Sequence, residues 1–248
     1  MSEPPEPIRI AAWSGPRNLS TALMRAFGNR ADAAVIDEPF YGLYLARTGI
    51  DHPLREATLA SRPSGEAAIV RTILGPAPGG AAIFYQKHMA HHMLPGVDLS
   101  WMAGCRSFFL IRSPERVLAS YAARRETVTA QDIGFARQAE LFDIEARRLG
   151  AAPPVVEAED VLAEPRRVLQ RLCGALAIPF AEAMLSWPPG RRSTDGAWAP
   201  AWYAAVEAST GFSPPAPEPP KLPERLRRLA DEARPHYERL RLYKLACD

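Results

Sequence analysis

The chain has 248 residues, 47% of them hydrophobic and 23% charged, with a formal net charge of +2. This length suits one sizeable α/β domain, and so slight a charge gives no argument for a nucleic-acid or membrane partner. The cysteines Cys105, Cys173 and Cys247 are far apart and in no metal-ligand spacing, which argues against a disulfide framework and predicts a reducing, cytoplasmic setting.

Residues 1–7 (MSEPPEP) lack a basic n-region and an apolar h-region, and read as a disordered leader before a single domain over 8–248. No stretch approaches the ~18 apolar residues of a membrane span. Ile8–Trp13 is a short apolar run of strand length. Ser14-Gly15-Pro16-Arg17-Asn18 is a break rich in turn formers, and from Leu19 apolar residues recur at helical spacing through Leu23, Met24 and Phe27 to Gly28. Strand, tight loop and helix in that order gather backbone N–H groups and the positive end of a helix dipole at one point, a cradle for phosphate or sulfate. Arg17 adds a forked cation there, and Ser20 and Thr21 add hydroxyl donors.

A second strand, Ala33–Ile36, ends at Asp37-Glu38-Pro39, where the proline keeps two carboxylates at a strand end. Short helices are predicted over 40–46 and 55–59, and a flexible turn over 75–80. Ala81–Gln86 reads as a strand followed by Lys87-His88 and a helical turn carrying His91 and His92. Arg106–Ile111 is the clearest strand. Ser113-Pro114-Glu115 then opens a helix with a cap, a first-turn proline and a first-turn acid. A long helix over 130–149, a strand over 154–157 and a helix over 165–176 follow. Residues 214–223 hold six prolines in ten and must be extended, and 222–245 form a basic amphipathic helix packed on the body.

This alternation predicts a largely parallel sheet flanked by helices, with ligands beyond the carboxyl ends of the strands. Ser14–Arg17, Asp37-Glu38, Lys87-His88 and Arg112-Ser113 all fall at that edge. The first loop is not a standard ATP/GTP phosphate loop, because it lacks the second glycine and the lysine of G-x-x-x-x-G-K-[ST].

SGPRNLSTAL (14–23) instead resembles the 5′-phosphosulfate loop of sulfotransferases, written P-[RK]-S-G-[TS]-T. The later FFLIRSPERVLASYAARR (108–125) is similar to that family's 3′-phosphate segment, with Arg112 ending a strand and Ser120 eight residues on. A weaker likeness lies at Arg191-Arg192 through Trp198, similar to the loop that closes over the nucleotide. The resemblance implies a P-loop nucleotide-hydrolase-like fold. The implied donor is 3′-phosphoadenosine 5′-phosphosulfate, without a required metal, and the acceptor a small molecule bearing a hydroxyl or amine. It assigns donor binding to Ser14, Gly15, Pro16, Arg17, Asn18, Leu19, Ser20, Thr21, Arg112, Ser120, Arg191 and Arg192. Leu19 departs from the family's glycine, which puts donor binding in question if that position needs a positive φ.

A base must take the acceptor's proton, and the resemblance offers Glu38 and His88, with Arg17 and Lys87 as catalytic cations. The H-x-x-H-H cluster of His88, His91 and His92 has helix-face spacing for a metal but lacks the H-E-x-x-H glutamate. Other readings are a kinase-like phosphotransferase, with Asp37 as its magnesium ligand, and a nucleotide-binding module that has lost transfer. Trp198, Trp202 and Tyr203 are candidates for an acceptor pocket.

Overall fold

The computed structural model describes residues 6–125, 127–214 and 218–246. Its strands are β1 (Ile8–Ser14), β2 (Ala33–Asp37), β3 (Ile83–Met89), β4 (Arg106–Ile111) and β5 (Val155–Glu157), all parallel in the order β2-β3-β1-β4-β5. The helices are α1 (Ser20–Gly28), α2 (Tyr41–Thr48), α3 (Arg55–Ser61), α4 (Glu66–Leu74), α5 (Pro114–Ala122) and α6 (Ala130–Ile133). They continue with α7 (Phe135–Leu149), α8 (Ala158–Ala163), α9 (Pro165–Ala175), α10 (Ala199–Trp202), α11 (Ala204–Glu207) and α12 (Glu224–Arg241). Among the described residues, no helix is long and apolar enough to cross a membrane.

The central strands β1, β3 and β4 are buried along most of their length because both faces of the sheet are covered. Strand alternation sends Ala11, Trp13, Phe109 and Ile111 into one core with α5, α7 and α12. It sends Ile10, Ala12, Phe108 and Leu110 into a second core with α1, α8 and α9. Each such fully buried Leu or Phe contributes about 1.5–3 kcal/mol. Register pairs Ser14 with Met89 and with Leu110, and Asp37 with Lys87, so the carboxyl ends of β1–β4 share one edge.

Several elements differ from the sequence expectation. β3 runs on through Met89, so Lys87 and His88 are strand residues with side chains on opposite faces. The helix expected over 130–149 is two, because Gly134 turns left-handed at φ 68° and passes so close to His91 that an added Cβ would lie 3.2 Å from the histidine's. Residues 66–74, without a predicted element, form α4. Ser113 holds the N-cap position of α5, but its hydroxyl makes no capping bond. After α12, Leu245 N–H donates to the Val155 carbonyl at 2.9 Å and the chain end docks on β5. Cys247, residues 1–5 of the expected leader and residues 215–217 of the proline-rich stretch lie outside the described residues.

Candidate functional site

The turn from β1 into α1 is tightly held. Gly15 passes so near α6 that a Cβ would sit 2.7 Å from the Ile133 carbonyl oxygen. Asn18 Nδ2 donates to the Leu110 carbonyl at 2.8 Å, tying the loop to β4. Arg17 and Leu19 adopt φ of 57° and 58°, a left-handed conformation that costs a side-chain-bearing residue about 1–2 kcal/mol. Left-handed residues flanking a helix start curl the backbone into a concavity of N–H groups, where anions bind.

Cations converge on that concavity from separate elements. Arg17 Nε donates to Ser120 Oγ of α5 at 2.9 Å, and its Nη1 to the Trp202 carbonyl at 3.1 Å. Arg112, just past β4, donates to the Arg17 carbonyl at 2.8 Å and to Glu159 at 3.3 Å. Burial, then the fields of Arg124 and Arg112, lower the Arg17 pKa from its usual value, the Tyr203 field opposing. Mutual repulsion of this kind is relieved by a bound anion. The loop, Arg112 and Ser120 line a cavity of about 310 Å³ that also takes in Glu38 and Lys87.

Lys87 is almost wholly buried, and its Nζ donates to Glu38 Oε1 at 2.5 Å, Asp37 Oδ1 at 3.0 Å and the Tyr203 hydroxyl at 2.7 Å. Burial disfavours this ammonium, but Asp37 and Glu38 outweigh it and hold its pKa well above the ordinary lysine value. One ammonium serves two carboxylates. Burial accordingly raises the Glu38 carboxyl, Lys87 opposing and Asp37 reinforcing the rise. Asp37 Oδ2 accepts from Tyr203 at 2.7 Å and from Gly196 N–H at 3.1 Å. With Lys87 and Tyr203 on Oδ1 and these donors on Oδ2, the carboxylate offered as a magnesium ligand in the kinase reading is already engaged.

The family model of the sulfotransferase domain matches residues 8–242. The chain belongs to the sulfotransferase family. Its fold agrees: the sulfotransferase from Alicyclobacillus acidocaldarius superposes with a TM-score of 0.57 at 16% identity, covering 96% of this chain and 95% of that one. The sulfotransferase domain of the Synechococcus PCC 7002 olefin synthase gives 0.54 at 19% identity, covering 94% and 98%. The architecture is therefore the P-loop nucleotide-hydrolase-like one, and residues 8–242 form a sulfotransferase domain. In sequence, the branched-chain-amino-acid aminotransferase-like protein 1 of Arabidopsis thaliana is 35% identical over 237 residues, 95% of this chain. Protein 2 of that name is 34% identical over 235 residues. The sulfotransferase chain spans only 42% and 41% of those two plant proteins.

Residues expected at the sulfotransferase site separate into those that meet and those that do not. Pro16–Thr21, Glu38, Lys87, Arg112 and Ser120 line one cavity. His88 does not: on the other face of β3 it stacks on Trp13 at 4.8 Å and lies tilted against Trp101 at 4.9 Å, with Nε2 3.2 Å from Gln86 Oε1. Burial pushes its pKa down to about 3. A base buried there does not reach the cavity, which corrects its candidacy. Arg191 pairs with Glu207 at 3.8 Å and Arg192 donates to the Pro188 carbonyl at 2.7 Å, so neither lines the cavity. Asp195 of that stretch is instead buried in a two-bond pair with Arg25, at 2.5 and 2.7 Å. Ser14 and Gly15 shape the turn from beneath; the Ser14 hydroxyl faces Met89 Sδ at 3.7 Å. Sequence reasoning missed Tyr41 and His52, which line the cavity from stretches with no telling pattern, and Tyr121, which follows Ser120 in the 3′-phosphate-like segment; it weighed His91 and His92 only toward a metal site and found the motif incomplete. Among the described residues, no group of three or more His, Cys, Asp or Glu is arranged to hold a metal ion.

Proposed function

We propose that the chain transfers a sulfuryl group from 3′-phosphoadenosine 5′-phosphosulfate to a hydroxyl or amine of a small molecule, with Glu38 as the base. Support comes above all from the meeting of Arg17, Arg112 and Ser120, in which Arg17 donates to Ser120 and accepts from Arg112 through its carbonyl, on a cavity that also exposes Glu38. Donors from three elements suit a ligand with separate anionic groups.

The donor supplies a sulfuryl group on a phosphate leaving group. Arg17 and the N–H groups of the loop face the negative charge that grows on the bridging oxygen as its bond to sulfur breaks. Arg112 and Ser120 hold the 3′-phosphate. Glu38 accepts the proton of the acceptor as the new bond to sulfur forms, so atoms balance with no change of oxidation state. A carboxylate with a raised pKa is a stronger base than a free one, and the Lys87 ammonium at 2.5 Å favours its ionised form. Leu19 already holds the left-handed conformation for which the family uses glycine, which speaks for an active loop and against a degenerate one.

Calorimetric titration tests the reading with adenosine 3′,5′-bisphosphate set against ATP with magnesium. The expected result is tight binding of the bisphosphate, weakened at least tenfold by Arg112→Ala and by Arg17→Ala. Binding of ATP with magnesium alone would overturn it.

A further inference from the structure

Tyr203 stands where two short helices meet. Its backbone N–H donates to the Ala199 carbonyl at 2.8 Å and its carbonyl accepts from the Glu207 N–H at 2.8 Å, so α10 and α11 hold the residue from both sides. It is 4% exposed. A phenol offers one donor and two acceptor sites, and protein groups take all three. The hydroxyl donates to Asp37 Oδ2 at 2.7 Å and accepts from Lys87 Nζ at 2.7 Å and Trp198 Nε1 at 3.1 Å. Although the residue borders the cavity, its hydroxyl has no bond left for a ligand, which separates it from the acceptor-pocket role expected of it.

Lys87 is saturated in the same way. An ammonium has three protons, and these are directed at Asp37 Oδ1, Glu38 Oε1 and the Tyr203 oxygen. Asp37 ends β2 and Tyr203 follows α10, so two of the three bonds are made to separate, rigidly held elements. Once two bonds of a tetrahedral ammonium are set, the direction of the third is set with them. That third bond goes to Glu38. The residue before Tyr203 serves the other end of the cavity, since the Trp202 carbonyl accepts from Arg17 Nη1 at 3.1 Å. One turn of chain therefore touches both the loop cation and the lysine on the base.

The charged and titratable groups around Glu38 are Lys87 of β3, Asp37 of β2, Arg62 just past α3, Tyr41 of α2 and Tyr203. Burial raises the Glu38 carboxyl, Lys87 and Arg62 oppose that rise, and Asp37 reinforces it. The Tyr203 O–H bond to Asp37 disperses the charge that reinforces it. Without that bond, Asp37 acts on Glu38 with its full charge and draws Lys87 toward itself, and both changes favour protonated Glu38.

We infer that Tyr203 is a positioning residue for sulfuryl transfer: by joining Asp37 to Lys87, its hydroxyl keeps the ammonium aimed at Glu38, and it touches neither donor nor acceptor. This rests on the reading of Glu38 as the base and adds the group that holds that base in its working state.

The chain has three lysines, Lys87, Lys221 and Lys244, which keeps an ammonium spectrum simple. The full chain labelled with 15N-lysine gives the first readout, with Lys221→Arg and Lys244→Arg identifying the other two signals. The second is the pH titration of the Glu38 carboxyl carbon by 13C NMR, identified by its loss in Glu38→Gln. Both are recorded for the parent, Tyr203→Phe and Tyr237→Phe. The last deletes another buried tyrosine hydroxyl bonded to a carboxylate, that of Glu157, away from the cavity. Calorimetry with adenosine 3′,5′-bisphosphate verifies folding, because Tyr203→Phe keeps the Trp202 carbonyl that holds Arg17.

In the parent, the Lys87 ammonium should exchange its protons slowly and give a resolved signal at neutral pH. Tyr203→Phe should speed that exchange and raise the Glu38 midpoint by about half to one pH unit, with bisphosphate affinity kept within about twofold. Tyr237→Phe should move neither readout. An unchanged or lowered Glu38 midpoint in Tyr203→Phe, or an equal rise in Tyr237→Phe, overturns the inference. Free proton exchange at Lys87 in the parent overturns it without any variant. Bisphosphate binding without the expected shifts sinks the role of Tyr203 alone. The expected shifts without bisphosphate binding sink the donor reading and leave the positioning of the lysine standing.

Discussion

Replacing Lys87 by methionine isolates what its buried ammonium does for the fold. The side chain is 2% exposed and is the cation shared by Asp37, which is fully buried, and Glu38. Methionine keeps most of the volume but leaves two buried carboxyls without their counter-charge. Removing one partner of a buried pair destabilises a protein by about 3–5 kcal/mol. For a chain of this size that lowers Tm by about 6–20 °C. The loss depends on pH in a direction that can be worked out. In the parent, the folded lysine pKa is raised, so its stabilisation is complete below the unfolded lysine value and fades only as pH rises through the folded one. In Lys87→Met the Glu38 carboxyl rises further, because the field that opposed its desolvation is gone. It then favours the protonated folded state, and the deficit shrinks as pH falls from neutral through its raised value toward the ordinary carboxylate range. Urea unfolding of both proteins at pH 7.5 and pH 5.5 measures this. A difference below about 1 kcal/mol at pH 7.5, or one that does not narrow at pH 5.5, refutes the reasoning, since a buried pair broken on one side must show both.

At Leu19 the left-handed φ of 58° is tolerated by glycine but resisted most by β-branched side chains. Leu19→Ile therefore lowers stability by about 1–2 kcal/mol relative to Leu19→Gly, while the glycine variant retains bisphosphate binding; equal stability of the two by thermal denaturation contradicts the loop geometry. Gly15→Ala puts a Cβ 2.7 Å from a backbone oxygen of α6, which cannot rotate away. It should cost about 1–3 kcal/mol and weaken bisphosphate binding, measured by urea titration and calorimetry. Glu38→Gln should lower kcat about 10²–10⁴-fold with bisphosphate affinity preserved, whereas His88→Asn should leave kcat per folded molecule within a few-fold. Because a base must be ionised and the Glu38 pKa is raised, kcat/KM of the parent should fall as pH drops through a value above the ordinary carboxylate one, and a flat acid limb would remove Glu38 from that role.

The sequence by itself determined the β1–loop–α1 unit, the parallel α/β plan and the placing of Arg112 and Ser120 on one cavity with the loop. These are local signals: apolar runs of strand length, turn residues between them, and a fixed spacing across the first turns of a helix. Only the tertiary structure put Glu38 on the cavity and His88 on the opposite face of the sheet. The reading of the chain stopped β3 at Gln86, and in a strand one residue of register separates the cavity face from the opposite core. Extension through Met89 sends Lys87 to the carboxylates and His88 into the packing around Trp13. Tyr203 completes the lysine network across 116 positions, and Asp195 meets Arg25 across 170. His52 and the His91-His92 pair arrive from separate segments, with the break at Gly134 passing against His91. Nothing in local composition encodes such meetings, because their partners are chosen by packing of distant surfaces and not by neighbours along the chain.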